Sequence, residues 1–123
     1  RWLRDVWGVA KIYETYVGAK SFEPDQPVFQ ALRDLGEEYG ATTGRPRQCN
    51  WLNLNELQRN VTLNSVNKLV INKMDVLREL DQWKLYHNLN LVSFENEKEM
   101  CSYITAKLSS NIEIFFSDNK NRI

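Results

Sequence analysis

Leu69-Val70-Ile71-Asn72-Lys73-Met74-Asp75 decides the fold class of this chain. Three consecutive aliphatic residues read as a short buried strand. They run straight into Asn-Lys-x-Asp, and residues 75–80 then read as a brief helix. A buried strand passing directly into a helix is the joint of α/β domains, where ligands bind beyond the carboxyl ends of the strands. The residue types suit a guanine base. The Asp75 carboxylate can accept two parallel hydrogen bonds, from the ring N–H and the exocyclic amino group. The Lys73 stem can lie over the base while its ammonium orders the loop. Adenine presents an acceptor where the ring N–H should be, leaving the carboxylate unpaired at a cost of about 1–3 kcal/mol. The same residues also suit a solvated strand-to-helix turn with Asp75 capping the helix.

Working outward, residues 8–17 are rich in β-branched and aromatic types and read as a strand ending at Gly18. Val28, Leu32, Leu35 and Tyr39 recur at helical spacing. A helix is therefore expected over residues 27–38, with Pro27 in its first turn and Gly40 as its stop. Residues 41–49 hold no large apolar side chain and are expected to form an exposed loop. Asn53 reads as a helix N-cap with Glu56 in capping-box position, ahead of an apolar face of Leu54, Leu57 and Val61 that ends near Asn67. Downstream, a strand is expected over 83–87. A helix should follow from a Ser93 cap through Ser109, with Met100, Ile104, Ala106 and Leu108 buried. A strand over 112–116 and a polar tail over 117–123 complete the chain. This alternation predicts one α/β domain with a parallel or mixed sheet. No repeat or linker divides it.

The 123 residues carry 16 basic against 16 acidic side chains, a net charge of zero, and an apolar fraction of 42%. That is the composition of an ordered single domain. It argues against a coat for nucleic acid or acidic membrane, and the longest aliphatic run is too short to span a bilayer. Cys49 and Cys101 form no C-x-x-C pair and read as reduced, partly buried thiols. His87 reads as a strand residue rather than a catalytic base. Asn60-Val61-Thr62 matches a glycosylation sequon, but it falls in a helical stretch of a chain expected to be cytoplasmic. The first residues already read as domain interior, with neither Met nor signal segment, so the chain is expected to be part of something longer.

A second chemical signal is Gly40-Ala41-Thr42-Thr43-Gly44-Arg45-Pro46-Arg47. Two hydroxyls and two guanidinium groups lie within six residues, among glycines that let backbone N–H groups approach a ligand. Arg45 and Arg47 alternate across Pro46, so in an extended segment both can point to one side. Paired Arg forks suit carboxylates or phosphates.

Taken in order, the run from Glu38 to Arg47, then Trp51-Leu52, Leu63-Asn64-Ser65-Val66 and Asn72-Lys73-Met74-Asp75-Val76-Leu77, with Val17-Gly18-Ala19 upstream, resemble the C-terminal part of adenylosuccinate synthetases. The resemblance extends to about His87. Beyond it the chain is shorter than common bacterial versions and is similar to the compact archaeal and phage branch. The resemblance implies a P-loop-like synthetase fold with a mixed, largely parallel sheet flanked by helices. It implies a cytoplasmic, homodimeric ligase that joins IMP to L-aspartate. The γ-phosphoryl of GTP moves to the purine 6-oxygen, and the aspartate amine then displaces it, with Mg2+ as cofactor. By position, the loop over residues 40–48 would bind aspartate and the purine nucleotide through Ala41, Thr42, Thr43, Gly44, Arg45 and Arg47. Val17 and Gly18 would flank the nucleotide. Arg47, Asn72, Lys73, Met74, Asp75, Ser117 and Asn119 would bind the donor nucleotide.

The chain departs from the family in places. Ser117-Asp118-Asn119-Lys120 stands where the family commonly has Ser-Thr-Gly-Pro, and Tyr16 where common enzymes carry Arg before Val-Gly. Gln48-Cys49-Asn50-Trp51 and the compact tail are similar to phage 2-amino-2'-deoxyadenylosuccinate synthetases, which act on dGMP, some with ATP or dATP as donor. The resemblance places the phosphate-binding loop, the magnesium-binding catalytic Asp and the catalytic His in an N-terminal part. This chain has no Gly-x-x-x-x-Gly-Lys-Ser/Thr. On that reading it holds no catalytic residue or metal ligand, is inactive alone, and has the N-terminal part as its partner. The other readings are a GTP-binding module without ligase chemistry, which leaves Thr42, Thr43, Arg45 and Arg47 without a task, and a structural remnant with no binding.

Overall fold

The computed structural model describes residues 4–16, 24, 26–39, 47–108 and 110–118. In chain order its elements are β1 (Trp7–Lys11), β2 (Tyr13–Tyr16), α1 (Val28–Leu35), β3 (Gln48–Asn53), α2 (Leu54–Leu63), β4 (Lys68–Asn72), α3 (Met74–Leu80), β5 (Trp83–His87), β6 (Asn90–Phe94), α4 (Glu97–Lys107) and β7 (Glu113–Phe116). The α/β class holds, but the strands form two sheets. One has the order β1-β4-β7 with both pairings parallel. The other has the order β2-β3-β5-β6, antiparallel at its two ends and parallel between β3 and β5.

The single strand expected over residues 8–17 is therefore two strands in different sheets. Ile12, fully buried, is the switch between them, and its N–H donates to the Asn72 carbonyl at 3.2 Å. Both halves are rich in β-branched and aromatic residues, so local propensity is blind to the break. Leu69 and Ile71 from the first sheet meet Trp51 and Leu85 from the second in one core. Phe29 and Leu32 of α1, Leu54 of α2, Leu77 of α3, and Met100 and Ile104 of α4 pack into the same core. The other face of the parallel sheet carries Trp7, Val9 and Phe115, all exposed, with the Trp7 and Phe115 rings stacked at 5.6 Å across β4.

Several boundaries differ from expectation. Gly36 is the C-cap of α1, so the helix stops well before Gly40. Glu37 follows at φ 54°, its N–H donates to the Asp34 carbonyl at 3.3 Å, and the Glu38 N–H donates to the Arg33 carbonyl at 2.9 Å. This is a Schellman ending with Glu at the left-handed position usually held by glycine. Residues 48–53 form a strand rather than the end of a loop, and Cys49 in it is fully buried. Asn53 caps α2 by accepting from the Glu56 N–H at 3.1 Å, but the capping box is not reciprocal. Glu14 takes the Asn53 N–H instead, at 3.0 Å. The helix ends at Leu63, and Asn67 serves the N-terminal strand by accepting from the Val6 N–H at 2.8 Å.

Ser93 lies in β6, and the cap of α4 is Asn96, which accepts from the Glu99 N–H at 2.9 Å. The hairpin that creates β6 turns on Asn88 and Leu89, both at positive φ. That is type I′ geometry, which usually announces itself through glycine. Met100, Ile104 and Leu108 are buried as expected, whereas Ala106 is exposed. Cys49 and Cys101 are not joined in a disulfide. His87 ends β5, with its Nδ1 at 2.6 Å from the Tyr103 hydroxyl. Among the described residues, no helix is long and apolar enough to cross a membrane.

Candidate functional site

Asn72-Lys73-Met74-Asp75 sits at the carboxyl end of β4, the central strand of the parallel sheet. Lys73 is the pivot between β4 and α3, at φ 64° and ψ 28°. A left-handed conformation costs a non-glycine residue roughly 1–2 kcal/mol, so tertiary contacts must hold it. They do: the Lys73 ammonium donates to the Gly36 carbonyl at 2.9 Å and to Glu38 Oε2 at 3.0 Å. It thus neutralises the carbonyl end of α1 as well as a carboxylate.

Met74 points its side chain into the core, 1% exposed, and its N–H donates to the Ser117 carbonyl at 3.1 Å. Asp75 is half-buried in the first turn of α3. Ser117 is stitched to the other side of the joint by its own N–H, which donates to the Ile71 carbonyl at 2.9 Å. Two buried polar side-chain atoms here, Asn72 Oδ1 and Ser117 Oγ, have no hydrogen-bond partner among the described residues. A buried polar atom left unpaired costs about 1–3 kcal/mol, so such atoms ordinarily meet a partner. Arg78 of α3 braces this segment from outside, donating to both Glu97 carboxylate oxygens and, at 3.1 Å, to Asp118 Oδ2.

The residue that organises the site is Glu38, to which the sequence reading assigned no role. Its side chain is fully buried. Oε1 accepts from Lys11 at 3.0 Å and from Arg47 at 3.1 Å, while Oε2 accepts from Lys73 at 3.0 Å and from the Tyr13 hydroxyl at 2.5 Å. Burial pushes the carboxyl up, but the hydrogen bonds from Tyr13, Lys73 and Lys11 outweigh it and hold the group down at about 2. Burial, then the Glu38 carboxylate, keeps the Tyr13 phenol far above its ordinary range. Arg47 is pinned along its backbone too. Its N–H donates to the Glu38 carbonyl at 3.0 Å, and its carbonyl accepts from Arg33 Nε at 2.8 Å. The signal for Glu38 was present, as an acidic residue at the expected end of a helix and close in sequence to Arg45 and Arg47. Its partners Lys11, Tyr13 and Lys73 are too distant in sequence to be matched to it in advance.

Comparison with known proteins decides the family. The family model described as adenylosuccinate synthetase matches residues 1–115. This chain belongs to the adenylosuccinate synthetase family. It is 46% identical over 82 residues to the adenylosuccinate synthetase of Xylella fastidiosa strain M12, a match covering 65% of this chain and 19% of that protein. The synthetase of Xanthomonas axonopodis pv. citri matches to the same extent. Among solved structures, the fully ligated adenylosuccinate synthetase from Plasmodium falciparum superposes with a TM-score of 0.60 at 36% identity, covering 77% of this chain and 24% of the other. The chain thus spans about one fifth of the length of the curated synthetases it matches.

Of the residues that the synthetase resemblance implicates, the structure brings Arg47 and Lys73 together through Glu38 and sets Ser117 beside the Asn72–Met74 turn. Val17, Gly18, Ala41, Thr42, Thr43, Gly44, Arg45 and Asn119 lie outside the described residues. Among the described residues, no group of three or more His, Cys, Asp and Glu side chains could hold a metal ion.

Proposed function

We propose that this chain supplies donor-base recognition and the aspartate clamp of a ligase that joins IMP to L-aspartate with GTP as phosphoryl donor. The observation that carries the reading is the Lys73 joint. A left-handed pivot at the end of a central parallel strand sits with two unpaired buried polar atoms, Asn72 Oδ1 and Ser117 Oγ, beside it. In an open α/β sheet that is where a ligand enters. The Asp75 carboxylate accepts from the guanine ring N–H and exocyclic amino group. Asn72 Oδ1 and Ser117 Oγ gain partners when the base is bound. Arg47, with Thr42, Thr43 and Arg45 before it, holds the aspartate carboxylates and fixes the amine for attack on the activated purine. Mg2+ would neutralise the donor phosphates when bound, its ligands coming from outside this chain.

The phosphate cradle and the catalytic Asp and His belong, on this proposal, to the rest of a synthetase. Parallel sheets are covered on both faces, and the exposed Trp7, Val9 and Phe115 face supports a further layer packing there. The test is Asp75→Asn in the full-length protein that carries this segment, assayed with IMP and L-aspartate. The preference for GTP over ATP should fall by roughly one to two orders of magnitude, because the amide offers a donor where the ring N–H also donates. An unchanged GTP/ATP ratio refutes base reading by Asp75. Running dGMP in place of IMP, with ATP or dATP as donor, separates the phage-type substrate choice.

A further inference from the structure

We propose that Glu38 is a positioning residue that locks Arg47 and the donor-base motif into one geometry, so that the two ligand sites stand or fall together. The ligand identities rest on the function proposed above, and the coupling rests on geometry. One carboxylate spans both sites. Oε1 holds Arg47, which closes the Gly40–Arg47 stretch of sequence, and Lys11. Oε2 holds Lys73, the second residue of Asn-Lys-x-Asp, and the Tyr13 hydroxyl. The main chain adds to the lock, since the Glu38 carbonyl accepts from the Arg47 N–H and the Glu38 N–H is fixed to the end of α1.

A buried carboxylate held by four donors cannot move toward one cation without releasing another. Packed interiors hold discrete arrangements and do not deform smoothly. Removing the charge takes from Lys11, Arg47 and Lys73 the carboxylate that all three share. Arg47 and Lys73 must then both relax, and the ligand groups they hold in place move with them. Tyr13 sets the place of Oε2. Gly36 leaves room for that phenol, because a Cβ at Gly36 would lie 2.2 Å from its oxygen. Glu38 and Tyr13 need touch neither ligand to act in this way.

The test uses the full-length protein that carries this segment, with IMP, L-aspartate and GTP as substrates. Glu38→Gln should raise the KM for aspartate and the KM for GTP together, each about tenfold or more, with kcat changed less. Tyr13→Phe removes one buried hydroxyl and should raise both by a common factor of roughly two to five. Val61→Ala, a core change in α2 away from this cluster, controls for lost stability and should move neither. A rise in only one KM in either site variant overturns the proposal, as does an equal rise of both in Val61→Ala. Should Glu38→Gln fail to fold, Tyr13→Phe decides alone. Absence of wild-type turnover refutes the function and not the coupling, which calorimetry with GTP and L-aspartate then judges. Joint weakening of both heats in Tyr13→Phe sustains the coupling. Weakening of one or neither, or a wild-type protein that binds neither, overturns it.

Discussion

Acid should weaken this fold through Glu38 in a way that can be separated from every other carboxylate. The Glu38 carboxyl ionises near 4.5 in an unfolded chain and near 2 in the fold, where burial raises it but Tyr13, Lys73 and Lys11 lower it further. Because the folded value is the lower one, the stabilisation is complete above about pH 5 and is lost as the pH falls through 4.5 toward 2. The gap is worth about 3 kcal/mol at pH 6 and about 1 kcal/mol at pH 3. Acidification between those values should therefore remove about 2 kcal/mol from this one group. Urea unfolding of the wild-type chain and of Glu38→Gln at pH 6 and pH 3 isolates the effect. Glu14, whose carboxyl burial pushes up, titrates in both proteins and cancels in the comparison. The stability gap between the two should shrink by about 2 kcal/mol at the lower pH. In the wild type, the Glu38 carboxyl carbon followed by NMR should titrate near 2. A gap that is the same at both pH values, or a titration near 4.5, refutes the balance of burial and hydrogen bonding assigned to Glu38.

Two further outcomes test the supports of the site. Gly36→Ala should displace the Tyr13 phenol from Glu38, because the new Cβ would fall 2.2 Å from its oxygen. A loss of about 1–3 kcal/mol in urea unfolding is expected, as for other overpacked interiors. Asn53→Ala should cost about 1 kcal/mol by removing the acceptor of the Glu56 N–H, read as a shift in urea midpoint at unchanged slope.

Much of the fold was legible because its signals are local. The helical recurrence of Leu54, Leu57 and Val61 behind Asn53, and the spacing of Met100, Ile104 and Leu108, each bury one face of a helix within a dozen residues. The strand at residues 83–87 was legible for the same reason, in its own alternation. The elements that escaped are those whose existence depends on a remote partner. β3 is polar enough to pass for loop, and becomes a strand because β2 and β5 flank it. β6 exists because a turn at Asn88 and Leu89 folds it onto β5, and a Ser93 cap is a reasonable local alternative until that pairing forms.

The amino-acid sequence by itself determined the α/β class, the family, and the two short motifs that carry chemistry, since each is written in contiguous residue types. Only the tertiary structure decided that the stretch around Ile12 passes from one sheet to the other, and that Lys73 is a left-handed pivot. It alone joined Arg47 and the base motif through a single buried carboxylate. The physical reason is that burying a charge is tolerable only when compensating groups converge on it. The compensating groups of Glu38 come from β1, β2, the approach to β3 and the β4–α3 joint, segments that meet only in the folded molecule.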